Sequence, residues 1–151
     1  MENKKIKNAQ RLIYNNIQFK SQLEVMIYKT LLQEGFDVKY EPVTFTLWQG
    51  FHPEIPYYVK NKKTRELALD NKKLIDIKYT PDFIFYYNGI RVIIEAKGFQ
   101  NDVFYIKKKL FRAYLEEDFS NVKIQSLYFE IYTKKELMQA IEIIKDYAKT
   151  D

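Results

Sequence analysis

Two hydrophobic periods alternate along the chain, and their order predicts the elements. Residues 1–19 are polar and basic, read as an arm or a short strand around Leu12–Phe19. Beyond them Leu23, Ile27 and Leu31, with Val25, Tyr28 and Leu32 beside them, form the wide apolar stripe of a helix. Ser21 suits its N-cap, with Glu24 three positions on, and Gly35 suits a left-handed C-cap. From Phe36 the period falls to two: Phe36, Val38 and Tyr40 alternate with Asp37, Lys39 and Glu41 until Pro42 interrupts. A second strand is expected over Val43–Gln49, then a proline-containing loop. Basic strands follow around Arg65–Leu69 and Lys73–Tyr79, with Asp70–Lys73 as the turn between them.

The runs on either side of Asn88-Gly89 predict a hairpin with a two-residue type I′ turn. A helix over Asn101–Glu117 should bury Val103, Ile106, Leu110 and Ala113/Tyr114 and turn Lys107, Lys108 and Arg112 outward. Val122–Tyr132 reads as a strand. Thr133–Lys149 reads as a helix opening on a capping box, Thr133 to Glu136. This order predicts an α/β (α+β) domain over residues 1–151, a mixed central sheet flanked by helices, with residues 1–12 a flexible basic arm.

The tight turn also sets a register. Tyr87 should face Ile90, Tyr86 face Arg91, Ile84 face Ile93, and Asp82 face Glu95, with Lys97 on the same side as the two acids. The opposite side, Phe83, Phe85, Tyr87, Ile90, Val92, Ile94 and Ala96, is almost wholly apolar and should pack on a core. Two opposed carboxylates are destabilising unless something compensates. A divalent cation is the natural compensation, since hard ions take carboxylate oxygens. A structural ion pair with Lys97 is the plainer one.

Composition bears on the partner. The net charge of +5 is uneven: Lys60–Lys78 carries seven Lys/Arg against three acids, and Lys97–Arg112 five against one. A basic middle favours a polyanion, and a merely solvated lysine-rich surface gives the same count. With 46% hydrophobic and 30% charged residues, the chain is expected to be a soluble globular protein. It has no cysteine, no apolar run long enough for a bilayer and no signal-peptide pattern, so a cytoplasmic, membrane-free protein is expected. His52 has no ligand-spaced partner, which argues against zinc.

Pro81-Asp82 followed after a 12-residue gap by Glu95-Ala96-Lys97 resembles the PD-(D/E)XK nuclease signature on its hairpin. The resemblance covers residues 13–115 and is closest to small phage-type endonucleases and Holliday-junction resolvases. It implies a restriction-endonuclease-like core and Mg²⁺-dependent hydrolysis of DNA phosphodiester bonds, with Mn²⁺ as a substitute ion. Asp82, Glu95 and the Ala96 carbonyl would hold the metal, and Lys97 would orient the attacking water and stabilise charge on the phosphate. Glu24 would complete the metal shell, or it serves only the capping box Ser21-x-x-Glu24. Lys107, Lys108 and Arg112, and with less support Lys72 and Lys73, would contact the DNA backbone. By analogy with resolvases the substrate is branched DNA and the enzyme a homodimer. The alternatives are a catalytically inactive nucleic-acid-binding module on the same fold and a protein-interaction subunit.

Overall fold

The computed structural model describes residues 12–98 and 101–149. The expected basic arm falls almost wholly on residues 1–11, outside the described residues. Thirteen elements follow. A short hairpin, β1 (Leu12–Tyr14) and β2 (Ile17–Phe19), leads into α1 (Gln22–Gln33), β3 (Lys39–Tyr40) and β4 (Phe45–Trp48). A second hairpin, β5 (Tyr58–Lys60) and β6 (Leu67–Leu69), precedes β7 (Ile77–Tyr79). Then come β8 (Phe83–Tyr87), β9 (Ile90–Ala96), α2 (Asp102–Val122), β10 (Ser126–Ile131) and α3 (Lys134–Tyr147). The fold is mixed α+β, as the element order predicts.

The β8–β9 hairpin is the centre of the main sheet, whose order is β10-β9-β8-β3. Its turn has positive φ at both Asn88 (47°) and Gly89 (80°), as type I′ requires. The predicted register holds: Tyr87 pairs with Ile90, Tyr86 with Arg91 and Ile84 with Ile93. β10 joins β9 in parallel through the α2 crossover, and β3 closes the other side antiparallel.

Because successive side chains alternate, the sheet carries a core on each face. Phe83, Phe85, Val92 and Ile94 meet Ile27 and Leu31 of α1 and Leu137, Ile141 and Ile144 of α3. Ile84 and Ile93 point the other way, onto Phe104 and Phe111 of α2, Phe45 of β4 and Tyr79 of β7. Arg91, also buried, donates from its guanidinium to Asp118 on α2 and Ser126 on β10, each at 2.9 Å, and so ties the crossover together.

Three expectations are corrected. On α2 the buried stripe is Phe104 and Phe111 with Tyr114 and Leu115 half-buried, while Val103 and Ile106 are 58% and 57% exposed. The aromatic rings reach further into the second core than β-branched side chains one position away, which rotates the helix from the predicted face. The strands around Arg65–Leu69 and Lys73–Tyr79 do not pair through a turn at Asp70–Lys73. β6 pairs with β5, and β7 with β4, because Tyr79 and Phe45 share a core that the 58–69 hairpin never enters. Lastly, Leu12–Phe19 is a hairpin rather than one strand, turning on Asn15 and Asn16, both at positive φ.

Candidate active site

The acids meet at the open end of the β8–β9 hairpin. Asp82 stands one residue before β8, beyond the last ladder pair, Phe83 with Ile94. The predicted facing of Asp82 and Glu95 is therefore made by side chains and not by the ladder. The Asp82 carbonyl accepts the Glu41 N–H at 2.8 Å, holding the residue to the end of β3. Its carboxylate Oδ2 accepts the Ala96 N–H at 2.7 Å, across to the far strand. The second oxygen has no hydrogen-bond partner among the described residues. Asp82 lines the cleft over the site.

Glu95 is held from both sides. Tyr79 donates its hydroxyl proton to Oε2 at 2.6 Å, and Lys97 Nζ pairs with Oε1 at 2.8 Å. Having one proton, Tyr79 must then accept from Tyr128 at 2.8 Å, which gives a relay of hydroxyls behind the carboxylate. Lys97 also lies 3.3 Å from the Phe104 ring centroid, and its main-chain N–H donates to Ile131 at 2.8 Å. This ring on α2 is part of what keeps the ammonium beside the acids.

Three carboxylates are buried near one another: Glu24, Asp82 and Glu95 are 7%, 8% and 7% exposed. Burial, and then the charge of Glu95, push the Asp82 carboxyl from its ordinary 3.8 up to about 7. The Ala96 N–H and Lys97 act in the opposite direction and do not overcome them. Burial and then Glu95 likewise raise the Tyr79 hydroxyl, which stays protonated as a donor.

Glu24 lies behind this group and does not line the cleft. Ser21 Oγ accepts the Glu24 N–H at 3.2 Å, which is half of the expected capping box. The other half is displaced: Glu24 Oε2 accepts the N–H of Lys20, one residue before the cap, at 2.9 Å, and the Tyr40 hydroxyl at 2.7 Å. Its charge still raises the Asp82 carboxyl.

The cleft over the acids has a volume of about 470 Å³, and its rim carries Lys20, Lys78 and Lys107. Lys107 is thus brought to the site and half-buried there rather than turned outward. Lys108 is also half-buried, paired with Glu130 at 2.7 Å, a correction to its expected outward exposure. Arg112 is exposed and lines a neighbouring groove of about 620 Å³ between α2 and β10, which contains none of the three signature residues. Lys72 and Lys73 are exposed on the segment before β7 and do not line the cleft. Lys20, Tyr79 and Tyr128 are site residues that the sequence reading missed. Their signals were faint: Lys20 precedes an N-cap, and Tyr79 stands three positions before Asp82.

The donor set suits a hard divalent cation. Asp82 and Glu95 would supply carboxylate oxygens, and the repulsion that raises Asp82 is what a cation would relieve. Among the described residues no three His, Cys, Asp or Glu side chains converge as a metal-holding group.

The chain belongs to the family described as "Protein of unknown function (DUF1064)", which matches residues 4–135. That span takes in Glu24, Asp82, Glu95, Lys97 and the whole of α2. No curated protein matches the chain. Among the described residues no helix is long and apolar enough to cross a membrane.

Proposed function

We propose that the protein is a metal-dependent endonuclease of the PD-(D/E)XK type, with a restriction-endonuclease-like core, acting on DNA. The observation that carries this reading is the buried pair Asp82 and Glu95, with Lys97 beside them, opening on a cleft rimmed by lysines. A fold stabilised only by packing has no use for a carboxyl whose ionisation its own neighbour opposes. A bound Mg²⁺ would polarise the phosphodiester and make an attacking hydroxide accessible near neutral pH.

The chain's own residues would do the rest. Asp82, Glu95 and the Ala96 carbonyl would hold the ion. Tyr79 fixes one oxygen of Glu95 and leaves the other to Lys97. Lys97 orients the water and places positive charge where the phosphate gains negative charge. Lys20, Lys78 and Lys107 attract and seat the backbone. Branched or junction DNA is the proposed substrate, and a homodimer the proposed assembly.

The test is cleavage of supercoiled, linear and four-way-junction DNA with Mg²⁺ or Mn²⁺, with Asp82→Ala, Glu95→Ala and Lys97→Ala alongside wild type. Each substitution is expected to lower the rate by about 100-fold or more. A wild type that cuts nothing ends the enzyme reading, and variants that cut like wild type end the site assignment. The Lys97–Glu95 ion pair favours a second reading, a non-catalytic DNA-binding module with structural acids. In that case DNA is bound in a salt-dependent way and left intact.

A further inference from the structure

Between β4 and β7 the chain leaves the body of the protein and returns. The two legs pass side by side at Gly50, where a Cβ would lie 1.9 Å from the Leu74 carbonyl oxygen, so only glycine fits. The root is closed by the Gly50 N–H on Asp76 (2.8 Å) and the Leu74 N–H on Phe51 (2.9 Å). Beyond it β5 and β6 pair only with each other. The tip is ordered by Asn61, whose side chain accepts the Lys63 N–H at 2.8 Å and whose carbonyl accepts the Arg65 N–H at 2.8 Å.

This arm contributes to neither core. Tyr57, Tyr58, Leu67 and Leu69 are all exposed on it. A lone two-stranded hairpin is marginal in water, and an exposed apolar surface of this kind marks a binding face. Charge selects the occupant. Lys60, Lys62, Lys63 and Arg65 crowd the tip against one acid, Glu66, and among the described residues none of the four forms a salt bridge. Among the described residues lone cations also occur elsewhere, as at Lys107, Lys109 and Arg112, so what distinguishes the tip is four of them within six residues, beside exposed aromatic rings. Unpaired cations beside exposed tyrosines fit phosphates and base faces.

We infer that the arm from Gly50 to Asp76 is a nucleic-acid clamp: its basic tip grips backbone phosphates remote from the cleft, and Tyr57 and Tyr58 stack on unpaired bases. The inference rests on the nuclease reading above and extends it to the substrate's reach. At about 3.3 Å per residue, the leg from Gly50 to Asn61 reaches at most about 40 Å, comparable with one turn of duplex. DNA held at both places would have unpaired bases next to a duplex flank, as a fork or a flap does.

Binding of the full chain to duplex and four-way-junction DNA, read by anisotropy in EDTA across a salt series, tests it. Lys62→Ala/Lys63→Ala/Arg65→Gly removes three tip charges, and glycine suits the positive φ of Arg65. Tyr57→Ser/Tyr58→Ser removes the rings, and Gly50→Ala disturbs the root with every charge kept. The tip variant is expected to weaken binding at least about 10-fold and to flatten the log–log salt slope by about two to three. Against a forked duplex with single-stranded arms as a third probe, the tyrosine variant should lose the wild-type preference for the fork over plain duplex, and the root variant should copy the tip defect. If tip and root variants bind like wild type, or if wild type binds no DNA, the inference is overturned. It is equally overturned if sedimentation shows that the substitutions dissolve a dimer while DNA affinity is unchanged, because the arm is then a subunit contact. The Mg²⁺ cleavage assay separates the two readings. A wild type that binds through the arm but never cuts overturns the nuclease and leaves the clamp standing. One that cuts with an indifferent arm does the reverse.

Discussion

Asp82 costs the folded protein stability near neutral pH. Its carboxyl is held at about 7 when folded and returns to 3.8 when unfolded, so between those values the native state binds more protons than the unfolded chain. Stability therefore falls as pH rises from about 4 to 7, and the loss is complete above the folded value. Asp82→Asn, which cannot ionise, should remove this slope and raise stability at pH 8 by about 1–3 kcal/mol, read from urea melts at pH 5 and 8. The same variant should be inactive. A gain in stability with loss of activity is the mark of a group kept for chemistry, whereas an acid serving only the fold would lose both. Glu24 is held differently. Its carboxylate receives two donors, so Glu24→Gln, which keeps an acceptor oxygen, should hold stability within about 1 kcal/mol. By removing a charge that opposes Asp82 ionisation, it should also lower the Asp82 titration midpoint seen by NMR.

At the scale of elements, the β8–β9 hairpin and the α2 crossover depend on each other. Lys97 is held over Phe104, and Arg91 on β9 is anchored by Asp118, about four turns further along nearly the same face of α2. Arg91 is buried, so removing Asp118 leaves a guanidinium short of an acceptor away from water. Asp118→Ala should cost about 2–3 kcal/mol in chemical denaturation, well beyond what a surface pair contributes. The hairpin was legible in the sequence because a two-residue turn with an obligatory conformation counts outward to a single register. The crossover was not. Val103, Ile106 and Leu110 have the right spacing for a buried face, and so do Phe104, Phe111 and Leu115 one position on. Only the shape of the core beneath them selects between the two.

Over the whole molecule, the main sheet carries a core on each face, and the arm between β4 and β7 belongs to neither. Phe111 is fully buried among Phe45, Tyr79 and Tyr128, with ring centroids 4.8–5.2 Å away. Phe111→Ala should therefore cost about 3–5 kcal/mol. Leu67→Ser on the arm should leave the urea midpoint unchanged within about 0.5 kcal/mol. A large loss from the arm substitution would show that the arm supports the fold, contrary to its isolation from both cores.

The sequence by itself determined the local and the periodic. These include the helix caps at Ser21 and Thr133, the type I′ turn, the hairpin register out to Phe83 and Ile94, and the apolar face it creates. Each follows from backbone geometry over a few residues, or from a period of two that a known turn pins in place. Tertiary structure decided what must be brought together from afar. It set Tyr79 and Tyr128 behind Glu95, Lys20 and Lys107 on one rim, Lys108 against Glu130, and Glu24 behind the cleft instead of in it. Pairing between distant segments depends on which side chains fill a shared core, and no spacing along the chain encodes that. The turn counts the hairpin out to Phe83 and Ile94, but what joins Asp82 to Glu95 beyond that pair, and what surrounds them and so sets their charge, is a property of the fold.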